Sequence, residues 1–340
     1  MEVALPSVAA VDDRRPASFA ELFGAICGAV ATVIRGKDPL IRMAVTCMVA
    51  EGHLLVEDVP GVGKTSLAKA LATSIGASFG RLQFTPDLLP TDVVGTSVWN
   101  QRDVRFEYRP GPIFANVLLA DEINRASPKT QSALLEAMAE GQVTADGTTR
   151  ALPVPFLVIA TQNPLEHHGT FPLPESQLDR FLMKVSVGYP DRGHELELLA
   201  TDGGEPALEA LRPVVDPTTV AHMQRAAAQV HVSPALSTYL LDLAAASRVH
   251  PHLVLGVSPR ALLGLQRAAR VWAAAQGRDY ATVDDVRALA EPVLSHRIAV
   301  APSASVQGID ARGVVTELLA STPLPREPAV HMAAPAPPPG

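Results

Sequence analysis

Cysteine is nearly absent from this 340-residue chain, with Cys27 and Cys47 the whole complement. Both fall in segments of helical pattern and neither has metal-ligand spacing, so no disulfide framework is expected and a reducing compartment fits. An excess of positive charge is missing too. Against 35 acidic side chains stand 28 basic ones, a net charge of -7, which argues against a sequence-independent grip on duplex DNA or an anionic membrane. No apolar run reaches the about 20 residues that cross a bilayer. The opening MEVALPSVAAVDDRRPASF carries its apolar part before its charges, the reverse of a secretory signal, and Arg14-Arg15 is followed by no hydrophobic region. A cytoplasmic protein without membrane insertion is the expectation. Aromatic residues are also scarce, at 4%, and their one cluster is Trp99, Phe106 and Tyr108.

Apolar residues, by contrast, make up 47% of the chain, enough for a sizeable core. The length suits two packed units with tails. Residues 1–18 read as a flexible leader, and helical spacing begins at Phe19 and runs to Val33. A second helix is expected from Pro39 to Glu51, and short apolar strands at His53–Val56, Ser78–Gln83, Val117–Glu122, Phe156–Thr161 and Met183–Val187. From Asp191 the pattern turns to helices only: Leu196–Ala200, Val220–Val230, Ala235–Val249, Pro259–Gln276, Val283–Leu294 and Val314–Leu319. The division is therefore an α/β domain at 19–190, a helical unit at 191–322 and a disordered Pro/Ala-rich tail at 323–340. Two excursions interrupt the α/β pattern. Residues 86–112 mix short helical and strand-like pieces with the aromatic cluster, and 143–152 hold Asp146-Gly147 between alternating flanks, a hairpin signal.

The stretch HLLVEDVPGVGKTS, His53–Ser66, is a strand, a glycine-bearing turn and a helix start. That order makes a phosphate cradle from Pro60, Gly61, Val62, Gly63, Lys64, Thr65 and Ser66. Glycines let backbone N–H groups turn inward, the helix N-terminus adds partial positive charge, Lys64 reaches the outer phosphates and the Thr65 hydroxyl can hold Mg²⁺. Asp58 stands where the strict pattern has glycine, so its carboxylate must point away from the phosphates.

Downstream, the apolar run Val117–Ala120 ends in Asp121 and Glu122. Paired acids at a strand end also mark solvated turns; behind a P-loop they supply a Mg²⁺ ligand, Asp121, and a general base for the attacking water, Glu122. Asn163, at the end of the next buried strand, can orient that water or cap the turn before Pro164. Val33, Ile34 and Gly36 can form a slot for adenine or belong to the core. Arg180, among Leu178, Phe181 and Leu182, is either paired for structure or presented to a phosphate on a neighbouring subunit. Arg260 sits in a helical first turn, where the helix dipole disfavours a cation, so an anionic partner is expected.

In EDVPGVGKT, QFTPDLLPTDVVG, GPIFANVLLADEINRASPKTQSALLEAM, TQNPLEHHGTFPLPESQLDRFLMK and SPRAL, the chain resembles the MoxR family of AAA+ ATPases, over about Val33 to Ala320. The resemblance implies a P-loop NTPase parallel sheet sandwiched by helices and followed by an α-helical lid. It makes Lys64 and Thr65 the Walker A residues, Asp121 and Glu122 Walker B, Asn163 the first sensor, Arg180 the arginine finger and Arg260 the second sensor. Arg125 is a second candidate for the cross-subunit arginine, and Lys37 stands where the family commonly has Gln. The implied activity is Mg²⁺-dependent ATP hydrolysis by a homo-oligomeric ring, most simply a hexamer. The implied output is chaperone-like remodelling of a partner or insertion of a metal cofactor, often with a von Willebrand factor A (VWA) domain protein. A magnesium-chelatase-like motor subunit and a nucleic-acid motor are the alternatives. Nucleic acid is disfavoured by the hairpin, whose basic residue is Arg150 alone, and by the insert, where Arg102, Arg105 and Arg109 face Asp87, Asp92, Asp103 and Glu107.

Overall fold

The computed structural model describes residues 17–164, 169–189, 192–200 and 205–325. The expected leader up to residue 16, the tail from 326 and the expected 190/191 boundary lie outside the described residues.

In chain order the elements are α1 (Phe19–Ala31), α2 (Asp38–Val49), β1 (Leu54–Glu57), α3 (Lys64–Ser74), β2 (Phe79–Gln83), α4 (Pro90–Val94), β3 (Gly95–Asn100), β4 (Arg105–Pro110), β5 (Val117–Asp121) and α5 (Pro128–Glu140). They continue with β6 (Gln142–Ala145), β7 (Thr148–Ala151), β8 (Leu157–Gln162), α6 (Glu175–Leu178), β9 (Met183–Val185), α7 (Arg192–Ala200), α8 (Glu205–Ala210), α9 (Pro217–Ala228) and α10 (Pro234–Arg248). Last come β10 (Leu253–Leu255), α11 (Pro259–Ala274), α12 (Val283–Leu294), β11 (Ala299–Val300), α13 (Pro302–Val306) and α14 (Ala311–Ser321).

Five strands pair in parallel in the order β2-β5-β8-β1-β9. Their apolar runs are explained by two cores, because alternate side chains leave opposite faces of a strand. Leu54 and Val56, Val117 and Leu119, and Leu157 and Ile159 enter one core with α1, α2, α3 and the lid helices. Leu55, Leu118, Ala120, Val158 and Ala160 enter the other, against Leu134 and Leu135 of α5. The first core runs without a break into the lid, through Leu182, Leu262, Leu265 and Leu289.

The lid is not helices only, as the pattern implies. β10 and β11 pair antiparallel within it, α8 and α13 are additional short helices, and α7 starts at Arg192, before the expected Leu196. Strands of two or three residues carry too little alternation to be read locally; their partners come from distant parts of the chain. The two excursions form hairpins β3–β4 and β6–β7. They touch each other: Ser97 Oγ donates to Asp146 Oδ2 at 2.5 Å, and the Arg150 guanidinium lies 3.6 Å from the Tyr108 ring centroid. Trp99 and Phe106 pack edge to face yet stay 47% and 69% exposed, an apolar tip available for contact.

His53, at the entrance to β1, locks the sheet to α5. Its Nδ1 accepts the Val158 N–H at 3.1 Å and its Nε2 donates to the Met138 carbonyl at 3.0 Å. That pattern needs a neutral ring, because a proton on Nδ1 would displace the Val158 bond. Burial pushes the His53 pKa down to about 4 and that of His296 down to about 3. A folded-state pKa below the unfolded value of about 6.5 means that the unfolded chain binds more protons in between. Their stability contribution is thus complete above about pH 6.5 and lost as pH falls toward the folded-state values. Denaturant midpoints measured from pH 7 to 4 should fall, and His53→Gln should flatten that slope; an unchanged slope would show that His53 is not a titrating group.

Candidate active site

β1, β5 and β8 are neighbours, so their C-terminal ends open onto one crevice. That is where ligands bind in parallel α/β sheets. The turn after β1 reaches α3 through Gly61 (φ +84°) and Gly63 (φ +93°), left-handed conformations that glycine adopts without a Cβ penalty. Gly63 is the N-cap of α3, and the first helical residues after it, Lys64 and Thr65, line the crevice. Lys64 Nζ donates to the Asp58 carbonyl at 2.8 Å, within the loop.

Asp58 meets the condition set by its position. Its Oδ2 accepts from Ser186 Oγ at 2.8 Å and Gly188 N at 2.6 Å, and its Oδ1 from Val59 N at 2.8 Å. Burial opposes its ionisation, but these donors outweigh burial and hold the carboxyl below its ordinary pKa. The charge is spent on the segment after β9 and turned from the cradle.

Opposite the cradle stands the end of β5. Asp121 is 8% exposed; its Oδ2 accepts from Arg81 Nε at 2.9 Å and its Oδ1 from Thr161 Oγ1 at 3.3 Å. Glu122 adopts φ +56° and ψ +50°, a left-handed conformation rare for a residue with a side chain and concentrated at functional sites. Its backbone N–H donates to Thr161 Oγ1 at 2.9 Å. Its Oε2 accepts from Gln83 Nε2 at 2.9 Å and from Arg125 Nη1 at 3.1 Å. The carboxylate is held by two donors and still borders the crevice.

The crevice has a volume of about 330 Å³ and is lined by Pro60, Gly61, Gly63, Lys64 and Thr65 on one side and Asp121, Glu122, Thr161 and Asn163 on the other, with Arg81 and Gln83 at its edge. Eight of the residues expected from the sequence are thus brought together. Val62 and Ser66 flank the cradle without lining the crevice. Ile34 is buried in the first core with the partly buried Val33 packed against it, and neither lines the crevice; Gly36 (φ +68°) lies against the His194 ring, which a Cβ would meet at 2.6 Å. Arg180 does not line the crevice; its Nη1 donates to the Leu135 carbonyl at 2.5 Å. Arg260 is exposed in the first turn of α11 and does not line the crevice either.

Arg81, Gln83 and Thr161 escaped the sequence reading. The available signal was the polar alternation Arg81-Leu82-Gln83 at the end of β2, which looks like any half-exposed strand. The register pairs Gln83 with Asp121, and only that pairing sets both β2 side chains against the two acids.

The oxygen donors Thr65 and Asp121 suit Mg²⁺, a hard cation that keeps several waters and binds through one or two protein ligands plus substrate phosphates. Among the described residues no group of three or more His, Cys, Asp or Glu side chains forms a denser metal cage, and none is needed for such an ion. No helix among them is long and apolar enough to cross a membrane.

A parallel sheet with a glycine cradle after β1, acids at the end of β5 with β8 between the two strands, and a helical lid defines an AAA+ P-loop ATPase. The profile of the ATPase family associated with various cellular activities (AAA) matches residues 53–183, and that of the AAA lid domain matches 245–318. YeaC of Bacillus subtilis (strain 168) is 47% identical over 304 residues, covering 89% of this chain and 95% of YeaC. Chaperone MoxR1 of Mycobacterium tuberculosis is 41% identical over 310 residues, with 88% and 82% covered. A solved structure, of a "putative ATPase" from Cytophaga hutchinsonii, superposes with a TM-score of 0.85 at 36% identity, covering 91% of this chain and 96% of that one. The chain belongs to the MoxR family of AAA+ ATPases.

Proposed function

We propose that this protein is a Mg²⁺-dependent ATPase that works as a homo-oligomeric ring, most simply a hexamer, in the cytoplasm. The observation that carries the reading is the convergence of Lys64, Thr65, Asp121, Glu122 and Asn163 on one crevice. Backbone N–H groups after Gly61 and Gly63 cradle the phosphates, and Lys64 turns from the Asp58 carbonyl to the outer ones. Thr65 and Asp121 would hold Mg²⁺, which when bound supplies neutralisation of phosphate charge. Glu122 accepts the proton of the attacking water while Asn163 fixes its direction. Gln83 and Arg125, bonded to Glu122, keep the carboxylate aimed. Arg180, tied to α5 away from its own crevice, serves the crevice of a neighbour, and Arg260 carries the state of the nucleotide to the lid.

The output we propose is remodelling or maturation of a partner protein, or insertion of a metal cofactor into it, with a VWA-domain protein as partner. The chaperone name borne by the mycobacterial relative supports this direction, and the exposed Trp99–Phe106 tip offers an apolar contact for a client. A nucleic-acid motor is less well supported. Arg150 is stacked on Tyr108 and donates to the Ala145 and Thr148 carbonyls, while Arg105 is paired with Glu107 and Asp103.

The reading is tested by ATP hydrolysis per subunit across a protein dilution series, with molar mass followed on the same samples. Activity per subunit should rise as the ring forms. Constant activity on a monomer would overturn the ring mechanism.

A further inference from the structure

The segment carrying Arg180 is gripped from the lid. Arg297, 5% exposed, lies after α12, and its Nη2 donates to two backbone carbonyls, of Asp179 at 3.1 Å and Phe181 at 2.7 Å. These are the residues on either side of Arg180. Arg297 Nε also lies 3.5 Å from Asp179 Oδ1, and the neighbouring His296 places Nε2 2.9 Å from the same Phe181 carbonyl. A third lid group joins them: Ser258 Oγ donates to Asp179 Oδ1 at 3.2 Å and Oδ2 at 3.4 Å. Ser258 is the N-cap of α11, the helix that bears Arg260 two residues on.

A structural role alone explains this arrangement poorly. Burying a guanidinium is expensive unless its donors are all satisfied, and Arg297 Nε and Nη1 find no hydrogen-bond partner among the described residues. Burial accordingly pushes its pKa down to about 10, against the raising effect of Asp179. Room for the side chain is kept by Gly264 of α11, where a Cβ would meet Arg297 Nη1 and Leu182 Cδ1, each at 3.0 Å. An apolar side chain would fill that space without orphaned donors. What it would not do is hold the carbonyls of Asp179 and Phe181 and the Asp179 carboxylate to the lid segment after α12.

We infer that Arg297, with Asp179 and Ser258, is a latch by which the lid of one subunit positions the arginine that acts on the nucleotide of the next. The inference rests on the proposal that Arg180 works across a subunit boundary. Arg297 is a positioning residue: it touches no nucleotide and acts through the backbone on either side of Arg180. When the packed pair α11 and α12 shifts, Ser258 before the first and Arg297 after the second carry the 179–181 segment with them, so the lid state of one subunit sets turnover in its neighbour. A displacement of about 1 Å in a reacting group suffices for a rate change near 10²-fold.

The test separates this role from simple loss of fold. Arg297→Gln, with stability checked by thermal melting, should bind ATP normally but turn it over about 10²-fold more slowly. Mixed with Glu122→Gln subunits, whose own arginines are intact, it should regain activity, because its own crevice is complete and lacks only a well-placed neighbour. Arg180→Ala mixed with Glu122→Gln is the parallel control. Recovery of the control without recovery of Arg297→Gln overturns the latch alone; recovery of neither removes the cross-subunit reading and the latch with it. Full activity of Arg297→Gln by itself also overturns the latch. Should that variant not fold, Asp179→Asn, which removes the carboxylate that Ser258 and Arg297 share, goes through the same mixtures with the same two outcomes.

Discussion

Glu122→Gln should keep ATP and stop turning it over. The amide preserves shape, and its oxygen can still accept from Gln83 and Arg125, which the carboxylate now does at 2.9 and 3.1 Å. Neither the fold nor the phosphate cradle is touched. What is lost is a group able to take a proton from water, and a positioned general base contributes about 10²–10⁴ in rate. Phosphate release should fall by that factor, while binding of a fluorescent ATP analogue matches the unaltered protein or becomes tighter through slow release. Turnover within a few-fold of the unaltered protein would show that another group is the base, and the left-handed backbone of Glu122 would then need a different explanation.

The second large effect is expected at Arg180. Arginines that reach a neighbour's phosphate contribute about 10³–10⁵ in rate where such fingers act. Arg180→Ala should therefore lose most turnover, yet it should bind ATP normally, because Arg180 does not line the crevice of its own subunit. Its present bond to the Leu135 carbonyl is one neutral acceptor, which a phosphate would readily outcompete. If Arg180→Ala is fully active, Arg125 becomes the candidate. Arg125 is 44% exposed at its side chain and paired with Glu122 at 3.1 Å, near enough to the crevice rim to reach out of it.

Much of this was legible in the residues, and the reason is local. A buried parallel strand has to be apolar on both faces, so β1, β5 and β8 stood out as short runs, and polar groups at their ends had to be ligand-facing or turn-forming. Ser127 and Ser258, each followed by a proline suited to the first helical position, cap α5 and α11. The pieces that escaped depend on contacts between distant segments. Arg81 and Gln83 acquire meaning from the β2–β5 register. β10 and β11 are too short to declare themselves. Val33 and Ile34 have the composition of a base-binding slot and of a core alike, and their packing against the first core is compatible with either role. Arg297 reads as one more basic residue at a helix end; its importance lies in what is 116 and 118 residues earlier in the chain.

Completion of each crevice by the next subunit can be read from a mixture of two inactive proteins. Arg180→Ala and Glu122→Gln, each without appreciable turnover alone, should together form rings in which an intact Glu122 faces an intact Arg180. ATP hydrolysis should then appear and peak at intermediate ratios. Mixed rings whose activity never exceeds the sum of the two components, at any ratio, would mean that no residue acts across the subunit boundary.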